Sequence, residues 1–270
     1  MQPLFYAFND TILFIGPIPP NDWHPIPVET LATNLNNHFN VWKLDGSTRP
    51  ATSLYWPSSV VRKTSYKKGD LLAFFMFPNY LPVAQITRYK MQQRFETIDA
   101  WHQIENESAW VKLLNRIYLE KPEADTTKAW LNNFLHNSEH CLFSLTEKSI
   151  DTRIYQAITL IKEQIVYGSD IELAEQFNLS EQHLRRLFKK EVGTSISNYK
   201  IHLQILFMAI LKSQGHTLTA SSNGVGFYDL AHVDKRHKRI YGISASHTII
   251  KSEIKVDSSL SMDSFAKQIK

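Results

Sequence analysis

The sequence predicts an α+β fold, with a β-rich N-terminal region followed by an all-α C-terminal region. Three observations carry this. Eight of the eleven prolines fall before residue 60 and two more by residue 82, a density that forbids long helices there. From Thr152 onward apolar residues recur at helical spacing instead. Side-chain chemistry divides the same way. Residues 1–150 hold 14 basic and 14 acidic side chains and 22 of the 32 aromatic residues, including all six tryptophans. Residues 151–270 carry 16 basic against 12 acidic, the whole net +4 of the 270-residue chain. Such a split suggests a sensing or core module joined to one that binds a polyanion.

Taken in order, short stretches rich in aromatic and β-branched residues are expected as strands: Thr11–Ile15, Asn40–Leu44, Ser53–Trp56, Val60–Val61 and Leu71–Phe77. Turn signals at Pro17-Ile18-Pro19-Pro20, Asp45-Gly46-Ser47 and Lys68-Gly69-Asp70 separate them. Strands this short and this closely spaced make a barrel or a sandwich. Gln92 to Tyr118 has neither Pro nor Gly, and Ile98, Trp101, Ile104, Ala109, Leu113 and Ile117 approximate a helical stripe. A second helix is expected over Thr126–His136, after the stop at Lys121-Pro122. These readings give a domain over 1–147, β-rich to about residue 90 and helical over 91–140.

Ile154, Ile158, Ile161 and Ile165 open the second domain, expected over 151–252, and the Ser/Lys-rich segment 253–270 is expected to be a frayed tail. Within 180–251 the balance is 11 basic to 4 acidic residues, with six of the eleven histidines. Asp170 can cap a short helix carrying Leu173, Ala174 and Phe177. Asn178-Leu179-Ser180 then makes a tight turn, and Ser180 can cap a second helix. That helix turns Leu184, Leu187 and Phe188 inward and leaves Gln182, His183, Arg185, Arg186, Lys189 and Lys190 outside. The pattern fits a helix-turn-helix with a basic second helix. It also fits a helical hairpin with a solvated basic face. The side chains suit a major groove, since Gln pairs with adenine, Arg with guanine and Lys with phosphate.

Two signatures, in order and correctly spaced, tip that balance. The first runs through Leu173-Ala174, Ser180, Leu184, Arg186-Leu187-Phe188-Lys189 and Gly193-Thr194-Ser195, with Tyr199 beyond. The second runs through Gly226-Phe227-Tyr228-Asp229, His232, Lys235, Lys238 and Tyr241-Gly242-Ile243-Ser244. Over roughly 100 residues the segment resembles the AraC/XylS family of transcription regulators, whose DNA-binding domain joins two helix-turn-helix units by a long helix. The resemblance implies base contacts from Gln182, Arg185 and Arg186 in the first unit, and from Leu230, Ala231, Asp234 and Lys235 in the second. It implies phosphate contacts from Ser180, His183, Lys189, Lys190, Lys238 and Arg239. It further implies a cupin-like N-terminal barrel that senses a small-molecule effector or dimerises, double-stranded promoter DNA and RNA polymerase as partners, and a homodimer, in the manner of an activator.

The chain departs from the family mainly in the second unit. Ser221 and Ser222 stand where Ile and Ala are usual, Val233 and His237 replace phenylalanines, and Ala245 replaces a proline. Gln204 replaces an arginine of the linking helix, and Met208 an alanine. Uncompensated, an apolar-to-Ser or Phe-to-His change in a core costs about 1–4 kcal/mol. On that ground the second unit is expected to be degenerate and the first to dominate DNA reading. An interaction protein with weak or non-specific DNA binding is the alternative.

Other classes find little support. The single cysteine, Cys141, excludes a disulfide framework or a multi-cysteine metal site. His24 and His38 lack a metal-ligand spacing, and no nucleophile triad, phosphate-binding glycine loop or paired acid–base carboxylates stand out. Neither an enzyme nor a cofactor is expected. Apolar runs reach only seven residues, against about 20 for a membrane span. A cytoplasmic protein without a membrane segment is expected.

Overall fold

The computed structural model describes residues 2–19, 24–25, 28–42, 46–56, 58, 61–62, 64–78, 107–136, 150–163 and 170–260. The N-terminal strands are β1 (Leu4–Phe8), β2 (Thr11–Gly16), β3 (His24–Pro25), β4 (Glu29–Asn34), β5 (Phe39–Trp42), β6 (Thr48–Ala51), β7 (Ser53–Trp56), β8 (Val61–Arg62), β9 (Thr64–Ser65) and β10 (Leu72–Phe77). Helices α1 (Glu107–Glu120) and α2 (Ala124–His136) follow. The C-terminal helices are α3 (Thr152–Glu163), α4 (Asp170–Gln176), α5 (Glu181–Val192), α6 (Ile196–Ser213), α7 (Leu218–Gly224) and α8 (Leu230–Tyr241), then a 3₁₀ turn at Ala245–His247. A final strand, β11 (Glu253–Val256), closes the described chain. The sequence-expected residues 92–106, Cys141, Ile165 and the end of the tail lie outside the described residues.

The main sheet runs β11-β1-β2-β10-β4-β7, antiparallel except for the parallel pair β1–β11. Both of its faces are covered. That explains why β1, β2 and β10 read as continuous apolar runs rather than alternating ones. On one face Tyr6, Leu13, Ile15, Phe75 and Phe77 pack against Trp110, Leu114 and Ile117 of α1 and Leu131 and Phe134 of α2. The Trp110 indole N–H donates to Thr33 Oγ1 at 3.0 Å, so the largest side chain of that core has its polar atom satisfied. On the other face Phe14, Phe74 and Trp56 meet Phe39 of the small β6-β5-β9 sheet and Tyr66 just after β9. This second core is continuous with that of the C-terminal helices.

The tail expected to fray is instead built into the sheet at its start. Glu253–Val256 pair with Leu4–Ala7 along the edge of β1, Asp257 N–H donates to the Ala7 carbonyl at 3.0 Å, and the Asp257 carboxylate pairs with Lys128 of α2. Edge pairing removes the open row of backbone donors and acceptors that a terminal strand would otherwise leave. Lys212 turns the chain toward this edge. Its ammonium donates to the carbonyls of Ile249 and Ile250 at 2.7 and 2.8 Å.

One residue of the β1–β2 turn joins the sheet to the C-terminal helices. Asp10, 4% exposed, pairs with Lys162 of α3 at 2.6 Å and accepts from the Tyr199 hydroxyl of α6 at 3.2 Å. Its backbone carbonyl lies 2.9 Å from His202 Nε2, and His202 Nδ1 lies 2.7 Å from the Tyr241 hydroxyl at the end of α8. A carbonyl can only accept, so Nε2 carries the proton and Nδ1 accepts from Tyr241. Burial holds the His202 pKa below the usual histidine value and pushes the Tyr199 phenol well above its own.

Candidate nucleic-acid interface

The first helical pair is α4 and α5. Leu173 and Ala174 are buried, and the turn between the helices passes through Asn178, which adopts φ 52°, a conformation that asparagine tolerates better than most residues. Ser180 caps α5 by accepting from His183 N–H at 3.2 Å. Leu184, Phe188 and Val192 face inward, and the Phe188 ring lies 5.6 Å from that of Tyr199. Gly193 ends the helix at φ 84°, its N–H donating to the Lys189 carbonyl at 3.0 Å. Such a left-handed C-cap strains any residue with a Cβ.

The outer face of α5 presents Gln182, His183, Arg185, Arg186, Lys189 and Lys190, all exposed. Arg185 is paired with Glu181 at 2.6 Å, one turn back. Ser180 offers its hydroxyl to the cap first, so a phosphate contact from this residue would have to share that oxygen.

The second pair, α7 and α8, repeats this construction. Thr217 caps α7, and Asp229 caps α8 by accepting from His232 N–H at 2.6 Å. Gly242 closes α8 at φ 72° with its N–H on the Lys238 carbonyl at 2.9 Å. Ala231, Lys235, Lys238 and Arg239 are exposed, while Leu230 packs partly against the core. Asp234, expected among the outward residues, is half-buried. Its carboxylate accepts from the Ser244 hydroxyl and, at 2.9 Å, from the Ala245 N–H, and so caps the 3₁₀ turn.

The expected erosion of this unit is corrected by the same hydrogen bonds. His237, 3% exposed, has both ring nitrogens engaged: Nδ1 lies 2.7 Å from the Ile243 carbonyl and Nε2 3.0 Å from Thr248 Oγ1. Burial lowers its pKa to about 4, so the ring is neutral, with Nδ1 donating and Nε2 accepting. Ala245 donates a backbone N–H that proline would lack. Gln204 donates to the Val225 carbonyl at 2.7 Å, and Ser222 to the Thr219 carbonyl at 2.9 Å. Ser221 differs, since its buried hydroxyl has no hydrogen-bond partner. Those compensating partners lie 3 to 21 residues away in sequence, and spacing alone gives no signal for them.

Two N-terminal contacts also reach these units, beyond what the sequence indicates. The Ser58 hydroxyl donates to the Gly193 carbonyl at 2.8 Å, and β3 runs beside α8. Among the described residues no three His, Cys, Asp or Glu side chains gather as a metal site, and no helix is long and apolar enough to cross a membrane.

A family model described as a helix-turn-helix domain matches residues 173–249, a span that covers both pairs. The Msm operon regulatory protein of Streptococcus mutans is 30% identical over 114 residues, a stretch that is 40% of this chain and 40% of that protein. The chain therefore matches well under two thirds of that relative's length. Among solved structures, a ligand-free variant of ToxT from Vibrio cholerae superposes with a TM-score of 0.55 at 10% identity, covering 92% of this chain and 100% of that one. Wild-type ToxT with a bound unsaturated fatty acid gives 0.51 at 8% identity, covering 92% and 99%. At these identities the likeness is one of fold: a sheet-containing N-terminal region joined to a helical region with two helix-turn-helix units.

Proposed function

We propose that this chain, an AraC-like DNA-binding transcription regulator, recognises promoter DNA chiefly through its first helix-turn-helix unit and positions itself on the phosphate backbone through its second. The observation that carries the division is the outward chemistry of the two helices. α5 presents Gln182, Arg185 and Arg186, the types that pair bidentately with bases, together with Lys189 and Lys190 for phosphates. α8 presents Lys235, Lys238 and Arg239, and its one acid, Asp234, is half-buried and engaged by the 3₁₀ turn. Its outward face is thereby cationic and, with no exposed Gln and Arg239 as its one fully exposed arginine, offers fewer base-reading groups than α5. Since the core of the second unit is hydrogen-bonded, its role follows from this surface rather than from loss of structure.

The N-terminal half supplies the regulatory input in this reading. Fatty acid occupies ToxT in one of the superposed structures. Here the aromatic interior between the two sheets holds the Trp56 indole N–H buried without a hydrogen-bond partner, a donor that a small polar-headed effector could engage. Self-association, activation through RNA polymerase and a cytoplasmic location belong to the same reading.

Mobility-shift titrations on the DNA upstream of the protein's own coding sequence, against unrelated DNA of equal length, test the division. Wild-type affinity should fall steeply with salt. Arg186→Ala should reduce the preference for the upstream fragment, at a cost of about 1–3 kcal/mol. Lys235→Ala should weaken both fragments alike and lower the salt slope by about one. Intact preference in Arg186→Ala, with preference abolished in Lys235→Ala, would reverse the assignment.

A further inference from the structure

We propose that Tyr228 is a DNA-contacting residue of the second unit, supplying an apolar ring contact to a thymine edge in the groove that α8 enters. The proposal rests on the DNA-binding reading above and adds to it a residue and a chemistry that the cationic face alone lacks. Tyr228 is 87% exposed, the most exposed large apolar side chain among the described residues, and it directly precedes Asp229, the cap of α8. An exposed aromatic of this size is not spent on the core, so its ring is available to a partner.

The backbone that carries it is fixed on several sides. Phe227, its neighbour, is 3% exposed and stands edge-on to the His232 ring at 5.6 Å. Phe227 N–H donates to the Ser222 carbonyl at 3.0 Å. Tyr228 N–H donates to His232 Nδ1 at 3.4 Å. The Asn223 amide, in the orientation that satisfies its surroundings, donates to the carbonyls of both Phe227 and Tyr228 at 3.2 Å. A fully solvated ring on an immobilised backbone binds with little loss of entropy, because only two side-chain torsions remain to be ordered.

The neighbouring chemistry sets the kind of contact. Ala231, exposed three residues on, adds a methyl group beside the cap, and Lys235, one further turn along, is the next exposed residue of that stripe. Asp229 engages its carboxylate at the cap, so this end of α8 is poorly suited to a phosphate. It is better suited to the C5-methyl group of thymine, which alanine and aromatic side chains read by apolar contact in the major groove.

The experiment uses the full chain and the upstream fragment in two forms, one with thymine and one with every thymine replaced by uracil. Wild type should bind the uracil form less tightly, by about fourfold for each buried methyl group lost. Tyr228→Ala should weaken binding to the thymine form by about fivefold to tenfold and show a smaller loss on uracil replacement than wild type. Tyr228→Phe should behave as wild type. Because the side chain is neutral, the salt slope of every variant should equal that of wild type, whereas Lys235→Ala lowers it. Unchanged affinity in Tyr228→Ala, an equal uracil loss in wild type and Tyr228→Ala, or Tyr228→Phe as weak as Tyr228→Ala would each overturn the assignment. Failure of wild type to bind DNA with any salt dependence would instead overturn the DNA-binding reading itself.

Discussion

Replacing His237 by phenylalanine installs the residue usual in the family that this segment resembles, yet the structure predicts that it destabilises the protein at neutral pH. The histidine donates to the Ile243 carbonyl at 2.7 Å and accepts from Thr248 at 3.0 Å, in a site where Ile243 and Thr248 are themselves buried. Phenylalanine would leave the carbonyl without this donor and the hydroxyl with only a 3.4 Å contact to the Ala245 carbonyl. A buried polar group stripped of its partner costs about 1–3 kcal/mol, partly offset by the gain from burying a more apolar ring. The net loss at pH 7 is about 1–2 kcal/mol. The sign depends on pH. Burial lowers the folded-state pKa of His237 to about 4, against about 6.5 unfolded, so between those values the unfolded chain binds the extra proton. Stability from this residue is complete above pH 6.5 and is lost as pH falls toward 4, by about 2 kcal/mol between pH 7 and pH 5. Phenylalanine does not titrate. Urea unfolding followed by circular dichroism should therefore find the variant less stable at pH 7 and equal to or more stable than wild type at pH 5. His202 and the carboxylates titrate in both proteins and cancel in the difference. A variant at least as stable as wild type at pH 7, or a gap that is the same at both pH values, would refute the reasoning.

Two further substitutions probe the same packing. Ser221→Ala removes a buried hydroxyl without a hydrogen-bond partner and should stabilise the chain by about 1 kcal/mol, read as a higher urea midpoint at unchanged slope. Asp10→Ala removes the carboxylate that pairs with Lys162 and accepts from Tyr199. Breaking a buried pair costs about 3–5 kcal/mol, but Lys162 keeps 32% of its side-chain surface in solvent and can relax into water, so the expected loss is about 2–3 kcal/mol. Thermal unfolding should show it, and Asp10→Asn should lose less by keeping an acceptor for Tyr199.

What could be read from the sequence was local. Strand β7 falls on the expected Ser53–Trp56, and Ser180 caps α5 as its position before the apolar spacing implies, because a cap and a 3.6-residue period are written within one or two turns of chain. α2 begins two residues ahead of the expected Thr126 and ends at the expected His136. Partners distant in sequence were not legible. β11 is four residues long and sits in a Ser/Lys-rich tail, and only its pairing with β1, some 250 residues earlier, makes it a strand. Asp234 occupies an outward-looking position by spacing, and the donors that engage its carboxylate belong to the turn after α8. The six outer side chains of α5, by contrast, needed nothing from elsewhere in the chain to be placed.

The departures of the second unit are coupled to one another. Ala245 has an N–H only because it is not proline, and Asp234 accepts it. His237 is tolerated because Ile243 and Thr248 face its two nitrogens, and its ring lies 4.8 Å from that of Tyr241, tilted by 49°. Tyr241 in turn donates to His202, whose other nitrogen reaches the Asp10 carbonyl in the β1–β2 turn. A phenylalanine at 237 could fill the same space but could not engage the Ile243 carbonyl and the Thr248 hydroxyl. The replaced positions thus place hydrogen bonds in this core, while Tyr241 and His202 carry a separate hydrogen-bonded link from the end of α8 to the N-terminal sheet. Hydrogen bonds are directional where apolar contacts are not, so a displacement of the β1–β2 turn would be felt at the end of α8 as a change in angle rather than absorbed as a small loss of packing. If the N-terminal half senses an effector, this chain of contacts offers a direct physical route from it to the helix that carries Lys235, Lys238 and Arg239.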